Sequence, residues 1–303
     1  MKVAIVGAGA VGGWYGGLLA LAGHAVHALS RSDHAVLSRH GLVMRGRDGE
    51  RTVRFASASP SGAGLGPCDL IVVAAKATAN AVLPDLVRPL VGPRTVLLTL
   101  QNGMGNVEAF QSVVPLARVV AGLCFVCINR VEPGVVSNTH AGYVRMAAAE
   151  GPINPAVTQC VEAFKAAGVD CRAEDSLEAV LWKKLCWNIP FNGLAIAAGG
   201  ITTDLILADP VLKARARRLM EEVRVAAALR GHVVTEKHLQ AQFDVTEGMG
   251  PYRPSSLIDY LEGREVEVSG IWAEPLRRGL AAGAQMPELA LLKQEIEALL
   301  RAR

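Results

Sequence analysis

Two groupings of residues in this 303-residue chain have the types and spacing to do chemistry. The first is Gly7-Ala8-Gly9-Ala10-Val11-Gly12, a G-x-G-x-x-G run. It follows the β-branched stretch of residues 2–6 and precedes small, apolar, proline-free residues over 11–22. Between a strand and a helix, the first glycine of such a run permits the tight turn and the second lets a pyrophosphate approach the backbone. The third lets helix and strand pack closely, and the helix N-terminus favours the anion. That context, more than the bare pattern, points to dinucleotide binding over a merely structural glycine turn. It also argues against reading the apolar start as a signal peptide. The second grouping lies in Leu181-Trp-Lys-Lys-Leu-Cys-Trp-Asn-Ile-Pro-Phe-Asn-Gly193. On a helix, Lys184, Asn188 and Asn192 stand at i, i+4 and i+8 and share one face. One ammonium donor and two amides in an apolar segment need partners, supplied either by a ligand or by a satisfied structural network. Lys183 would point about 100° away from that face. Pro190 implies a kinked or locally irregular helix.

Smaller signals surround these two. The second strand ends in Leu29-Ser30-Arg31-Ser32-Asp33. An acidic side chain at this point accepts from a ribose 2′-hydroxyl, whereas an arginine pairs with a 2′-phosphate. Arg31 therefore favours NADP over NAD, with Asp33 as the alternative ribose partner and a solvated arginine as the bland reading. The next two strands end in Lys76 and in Gln101-Asn102-Gly103. Ligands bind beyond the carboxyl ends of strands in open α/β sheets, although a surface lysine and a simple turn would look the same. In Arg253 to Ser269, the Ser255-Ser256 pair reads first as a helix cap and Glu265 and Glu267 as solvated charge. Cys124 and Cys127 form a CxxC inside an apolar run with no second pair at metal spacing, so buried strand residues are the better reading and no metal site is expected. The six cysteines read as reduced thiols, which suits the cytoplasm.

The elements that must position these residues follow from the pattern. Residues 2–6, 25–29, 69–75 and 95–100 read as strands, the last two continuously apolar as in strands covered on both faces. Helical stretches lie between them at 11–22 and 77–91, the latter interrupted by Pro84. Strands alternating with helices imply an α/β fold, a Rossmann-type doubly wound parallel sheet. Strand-like runs continue over 119–128 and 143–148 around the turn Pro133-Gly134. After Asp175 the chain reads as all-helical, with helices over 176–198, 210–230, 254–263 and 286–302. A nucleotide-binding domain over 1–170 and a helical substrate domain over 171–303 result. With 51% hydrophobic and 19% charged residues, disorder is excluded. A net charge of +3 supplies no broad basic face for nucleic acid but suits a small anionic ligand. No apolar run reaches the roughly 18 residues of a membrane helix. The helical half could form a homodimer, although no interface signal stands out.

Taken together, the sequence resembles the ketopantoate reductase (2-dehydropantoate 2-reductase) family over nearly its whole length. The resemblance rests on Gly7 to Gly12, Lys76, Gln101-Asn-Gly-Met-Gly105, Trp182 to Asn192, and Ser255 to Glu267. It implies NADPH bound in the N-terminal domain and hydride reduction of a 2-oxo acid, ketopantoate first, in pantothenate biosynthesis. Carried over by position, Lys184 donates the proton to the carbonyl oxygen. Asn188, Asn192 and Ser255 hold the substrate, Asn102 touches both substrate and cofactor, and Glu267 lies near the nicotinamide end. Ser255 is chosen over Ser256, and Glu267 over Glu265, because that pair keeps the Gly263-Arg264 turn and Trp272-Ala-Glu-Pro-Leu276 in register without gaps. Reduction of another branched 2-oxo acid, a β-hydroxyacid-type dehydrogenase and a non-catalytic NADP sensor are the competing readings. The family-matching Asn102 and the Lys184, Asn188 and Asn192 set disfavour the last two.

Overall fold

The computed structural model describes the backbone of residues 1–303 and the side chains of residues 1–139 and 142–303. The chain divides into two compact units, one of Met1–Gln101 with Asn106–Leu177 and one of Asn102–Gly105 with Glu178–Arg303.

In the first unit, β1 (Lys2–Val6) runs into α1 (Ala10–Leu21). There follow β2 (Ala25–Leu29), α2 (His34–His40), β3 (Leu42–Gly46), β4 (Gly49–Val53), β5 (Ser57–Ser59) and β6 (Leu70–Val73). Where one helix is expected over 77–91, the chain forms only α3 (Leu83–Val87) between two 3-10 turns. Pro84 and Pro89 remove backbone donors there and break the ladder. β7 (Val96–Thr99), β8 (Val119–Glu132), β9 (Val135–Ala148), α4 (Pro155–Ala166) and β10 (Asp170–Ala173) complete the unit.

The strands lie in the order β4-β3-β9-β8-β7-β6-β1-β2-β5, with β10 beside β9. β1 is parallel to β2 and β6, β6 to β7, and β7 to β8. Val3, Ile5, Leu70 and Val72 enter one core while Ala4, Val6, Ile71 and Val73 enter another on the opposite face. Burial on both faces is why these strands are continuously apolar. The sheet is mixed, not wholly parallel: β8 pairs antiparallel with β9 and β3 with β4. The turn between β8 and β9 is too short for a parallel crossover, and Gly134 takes φ +74° in it. Both strands are longer than the apolar runs that announce them, because the outer end of β8, residues 129–132, is exposed.

In the second unit α5 (Leu177–Ala197) is followed by α6 (Thr203–Ala208), α7 (Pro210–Leu229), α8 (Glu236–Glu247) and α9 (Ser255–Leu261). A π-helical turn over Ser269–Ala273, α10 (Glu274–Ala281) and α11 (Pro287–Arg301) close it. α6, α8 and α10 go beyond the four helices expected from periodicity. α8 buries only Leu239, Phe243 and Thr246, too sparse a stripe to read. The core of this unit gathers Trp182, Leu185, Ile189, Phe191, Ile271 and Trp272 among others. Among the described residues no helix is long and apolar enough to cross a membrane.

Candidate active site

The glycine run spans the end of β1 and the start of α1, and its three glycines do different work. Gly7 has φ +93°, and a Cβ there would stand 2.4 Å from the Ala75 nitrogen. A Cβ on Gly12 would stand 2.2 Å from the Gly7 carbonyl oxygen, so α1 could not pack so closely with a side chain there. At Gly9 a Cβ would meet nothing within 4 Å. Gly9 is the N-cap of α1, with no side-chain cap and no acidic residue in the first turn. Uncapped backbone donors beside open space, at the positive end of a helix dipole, fit the pyrophosphate of a dinucleotide. Ala8 is buried, and Ala10 and Val11 are half-buried.

Beyond β2, Arg31 is exposed and Asp33 is not. The Asp33 carboxylate accepts from Arg130 Nε at 2.8 Å, Arg130 Nη2 at 2.7 Å, the Gly134 N–H at 3.2 Å and Ser32 Oγ at 2.6 Å. Burial pushes this carboxyl up, but the hydrogen bonds from Ser32, Arg130 and Gly134 and the Arg130 charge outweigh it and hold its pKa below the ordinary value. Asp33 is thus occupied by the protein itself, which removes it as a ribose partner.

Lys76 is exposed beyond the end of β6. The end of β7 carries an amide network that sequence reading missed. Thr99 Oγ1 donates to Gln101 Oε1 at 2.9 Å, Gln101 Nε2 to Asn80 Oδ1 at 2.8 Å, and Asn80 Nδ2 to Asn106 Oδ1 at 3.0 Å. Its members come from three separate segments, so no local spacing announces it. It anchors the residues on both sides of Asn102–Gly105.

In the second unit α5 is continuous through Pro190, held by neighbours that are almost all buried. Lys184, Asn188 and Asn192 are buried on one face of this helix, with about 12 Å of rise between the first and last. Lys184 Nζ donates to Asn102 Oδ1 at 2.8 Å. Asn102 is set by a close backbone approach. Gly103 has φ +83°, its Cβ would fall 2.3 Å from the Gly270 carbonyl, and the Met104 N–H donates to that carbonyl oxygen at 2.9 Å. Gly270 lies in the π-helical turn, a deformation frequent at functional sites. Glu267, just before it, is 3% exposed, whereas Glu265 is exposed.

The serine pair does not cap α9: Pro254 is its N-cap and no side chain caps it. Instead Asn192 Oδ1 accepts from the Ser256 N–H at 3.0 Å. Ser255 is half-buried and Ser256 buried. Asn188 makes no side-chain hydrogen bond among the described residues. One ammonium held by one amide, a second amide holding the α9 backbone and a third with its capacity unspent form a polar stripe suited to a small anionic, oxygen-rich ligand. Lys183 is exposed on another face, where its carbonyl meets His238 Nε2 at 3.0 Å.

All six cysteines are free. Cys124 and Cys127 are half-buried on β8. Burial pushes the Cys171 and Cys186 thiols up to about 12, so neither is a nucleophile at neutral pH. Among the described residues no cluster of three or more His, Cys, Asp or Glu is placed to hold a metal ion.

Two family models match the chain. "Ketopantoate reductase PanE/ApbA" covers residues 3–151 and "Ketopantoate reductase PanE/ApbA C terminal" covers 176–299. A curated 2-dehydropantoate 2-reductase from Nostoc sp. is 35% identical over 98% of this chain and 95% of its own length. Among solved structures, 2-dehydropantoate 2-reductase from Geobacter metallireducens has a TM-score of 0.94 at 36% identity, covering 98% of this chain and 99% of that one. A D-mandelate dehydrogenase has a TM-score of 0.92 at 21% identity, over 100% of this chain and 99% of that one, and shares the fold.

Proposed function

The chain belongs to the ketopantoate reductase family, and from that premise we propose that it reduces the 2-oxo group of 2-dehydropantoate to the hydroxyl of pantoate, for pantothenate synthesis. NADPH supplies the hydride when bound. The observation that carries this reading is the buried Lys184 ammonium held on Asn102, on the same helical face as Asn188 and Asn192.

The division of labour follows from chemistry. In the first unit Gly7 through Gly12 would cradle the cofactor pyrophosphate, Arg31 would take the 2′-phosphate and Lys76 would contact the same group. For Asn102 and Glu267 in the second unit, the cofactor role is the one that the family resemblance implies. As hydride reaches the 2-oxo carbon, negative charge grows on its oxygen. Lys184 stabilises that charge and passes its proton to the same oxygen, leaving a neutral amine that water reprotonates. The Asn102 acceptor aims the ammonium, so that it need not reorganise as the charge develops. Asn188, Asn192 and Ser255 hold the substrate carboxylate and hydroxyl and keep the carbonyl near its attack geometry. Residues 1–170 then supply most of the cofactor contacts, and residues 171–303, with Asn102, hold the substrate, Glu267 serving the cofactor. Six free thiols suit a reducing cytoplasm.

The test is NADPH oxidation followed at 340 nm with a panel of 2-oxo acids. Ketopantoate should show the highest kcat/KM. A panel in which another branched 2-oxo acid exceeds it tenfold would reassign the substrate, and no turnover with any 2-oxo acid would sink the reading.

A further inference from the structure

Asp33, two residues past Arg31, is the carboxylate within reach of the corner where an acidic side chain accepts from a ribose 2′-hydroxyl, yet it is spent inside the protein. A carboxylate offers about four acceptor sites, and four donors converge on this one. Two of them come from the planar fork of Arg130 on β8, and a third is the backbone of the turn that follows that strand. The Asp33 side chain is 3% exposed, so solvent cannot screen its charge. Arg31 lies two residues away in the same turn, about 7 Å at most between Cα atoms. An uncompensated carboxylate at that distance would oppose any phosphate drawn to Arg31.

We propose that Arg130 is a specificity-determining residue: by neutralising Asp33 and turning it inward, it makes the corner beyond β2 receptive to a 2′-phosphate. Arg130 is a positioning residue here, acting on the cofactor site through Asp33. The inference rests on NADPH being the hydride donor, with Arg31 at its 2′-phosphate. A carboxylate lies beside this corner, and its partner Arg130 decides whether its charge is felt there.

Calorimetric dissociation constants for NADP⁺ and NAD⁺, measured without substrate, test it. The parent protein should bind NADP⁺ more tightly than NAD⁺. Arg130→Gln keeps hydrogen bonding to Asp33 but loses the charge, and should move the NADP⁺/NAD⁺ affinity ratio toward NAD⁺ by about tenfold. Arg130→Lys should leave the ratio near the parent value. Asp33→Asn with Arg130→Gln removes both charges and should restore NADP⁺ preference, although the ion pair is still missing. An unchanged ratio in Arg130→Gln overturns the proposal. So does a double variant that stays as NAD⁺-leaning as the single one, because the effect would then be structural. Should Arg130→Gln not fold, as judged by its melting curve, the restored or lost preference of the double variant decides. A parent protein with no NADP⁺ preference would instead sink the cofactor reading itself, and this inference with it.

Discussion

Glycine does opposite work in the two units. At Gly9, in the turn between β1 and α1, the missing side chain leaves open space. At Gly103, in the loop that carries Asn102, the place of the side chain is already taken by the Gly270 backbone. The first absence leaves open space at the N-terminus of α1, where the proposed cofactor would bind. The second removes room, so that two backbones touch and the Asn102 amide stays where the Lys184 ammonium needs it. A side chain at Gly9 should therefore disturb the proposed ligand more than the fold, whereas a side chain at Gly103 disturbs the protein itself.

Substitutions can break this contrast, and the largest effect belongs to the group that the second contact serves. Lys184→Ala should lower kcat by about 10² or more, the loss typical of a missing general acid, with the dissociation constant for NADP⁺ nearly unchanged. Parent-level turnover of ketopantoate by the folded variant would remove Lys184 from the chemistry. Gly103→Ala comes next. A left-handed φ costs an alanine roughly 1–2 kcal/mol, and the 2.3 Å approach to Gly270 forces the loop to move. The melting temperature should fall by several degrees, at about 2–4 °C per kcal/mol for a chain of this size. kcat should fall by about tenfold or more, as misplacement of an orienting group implies. Gly9→Ala is the counterpart. A Cβ there would meet nothing within 4 Å, so the melting temperature should move less than in Gly103→Ala while NADP⁺ binding weakens by about tenfold. A Gly9→Ala protein that melts early but binds NADP⁺ normally would reverse the contrast.

The two contacts also differ in how far the sequence announces them. The β1–α1 turn was legible because its three glycines fall within six residues and each has a local reason. The stripe of Lys184, Asn188 and Asn192 was legible for the same reason: helical spacing is local. Gly103 and Gly270 belong to distant segments, and nothing in the spacing around either one points to the other. The amide network of Asn80, Gln101 and Asn106 was hidden in the same way, as was the pairing of Asp33 with Arg130 across the sheet. Periodicity was silent where elements are short or mostly polar, as in α6, α8 and the exposed end of β8. The serine pair misled because serine is the commonest cap, whereas here Asn192 reaches in from another helix.

The smallest predicted effect tests how firmly the π-helical turn under Gly103 is held from below. Glu274 opens α10 just after that turn and takes Arg277 Nε and Nη2 and Arg278 Nε, each at 2.7 Å. The hydrogen bonds from Arg277, opposed by burial and reinforced by Arg278 and both charges, hold its carboxyl at about 2 against an ordinary 4.5. A carboxyl depressed in the folded state stabilises it above its unfolded pKa, and this contribution fades as pH falls from about 4.5 to about 2. Arg277 is exposed while Glu274 and Arg278 are partly covered, and with solvent screening the cluster contributes on the order of 1 kcal/mol. Glu274→Gln should thus melt a few degrees below the parent at pH 7 and together with it near pH 2, while NADP⁺ binding stays unchanged. A gap that persists undiminished to pH 2 would mean that Glu274 supports the turn by shape and not by charge, and would place the rigidity of the Asn102 loop in the Gly103–Gly270 contact alone.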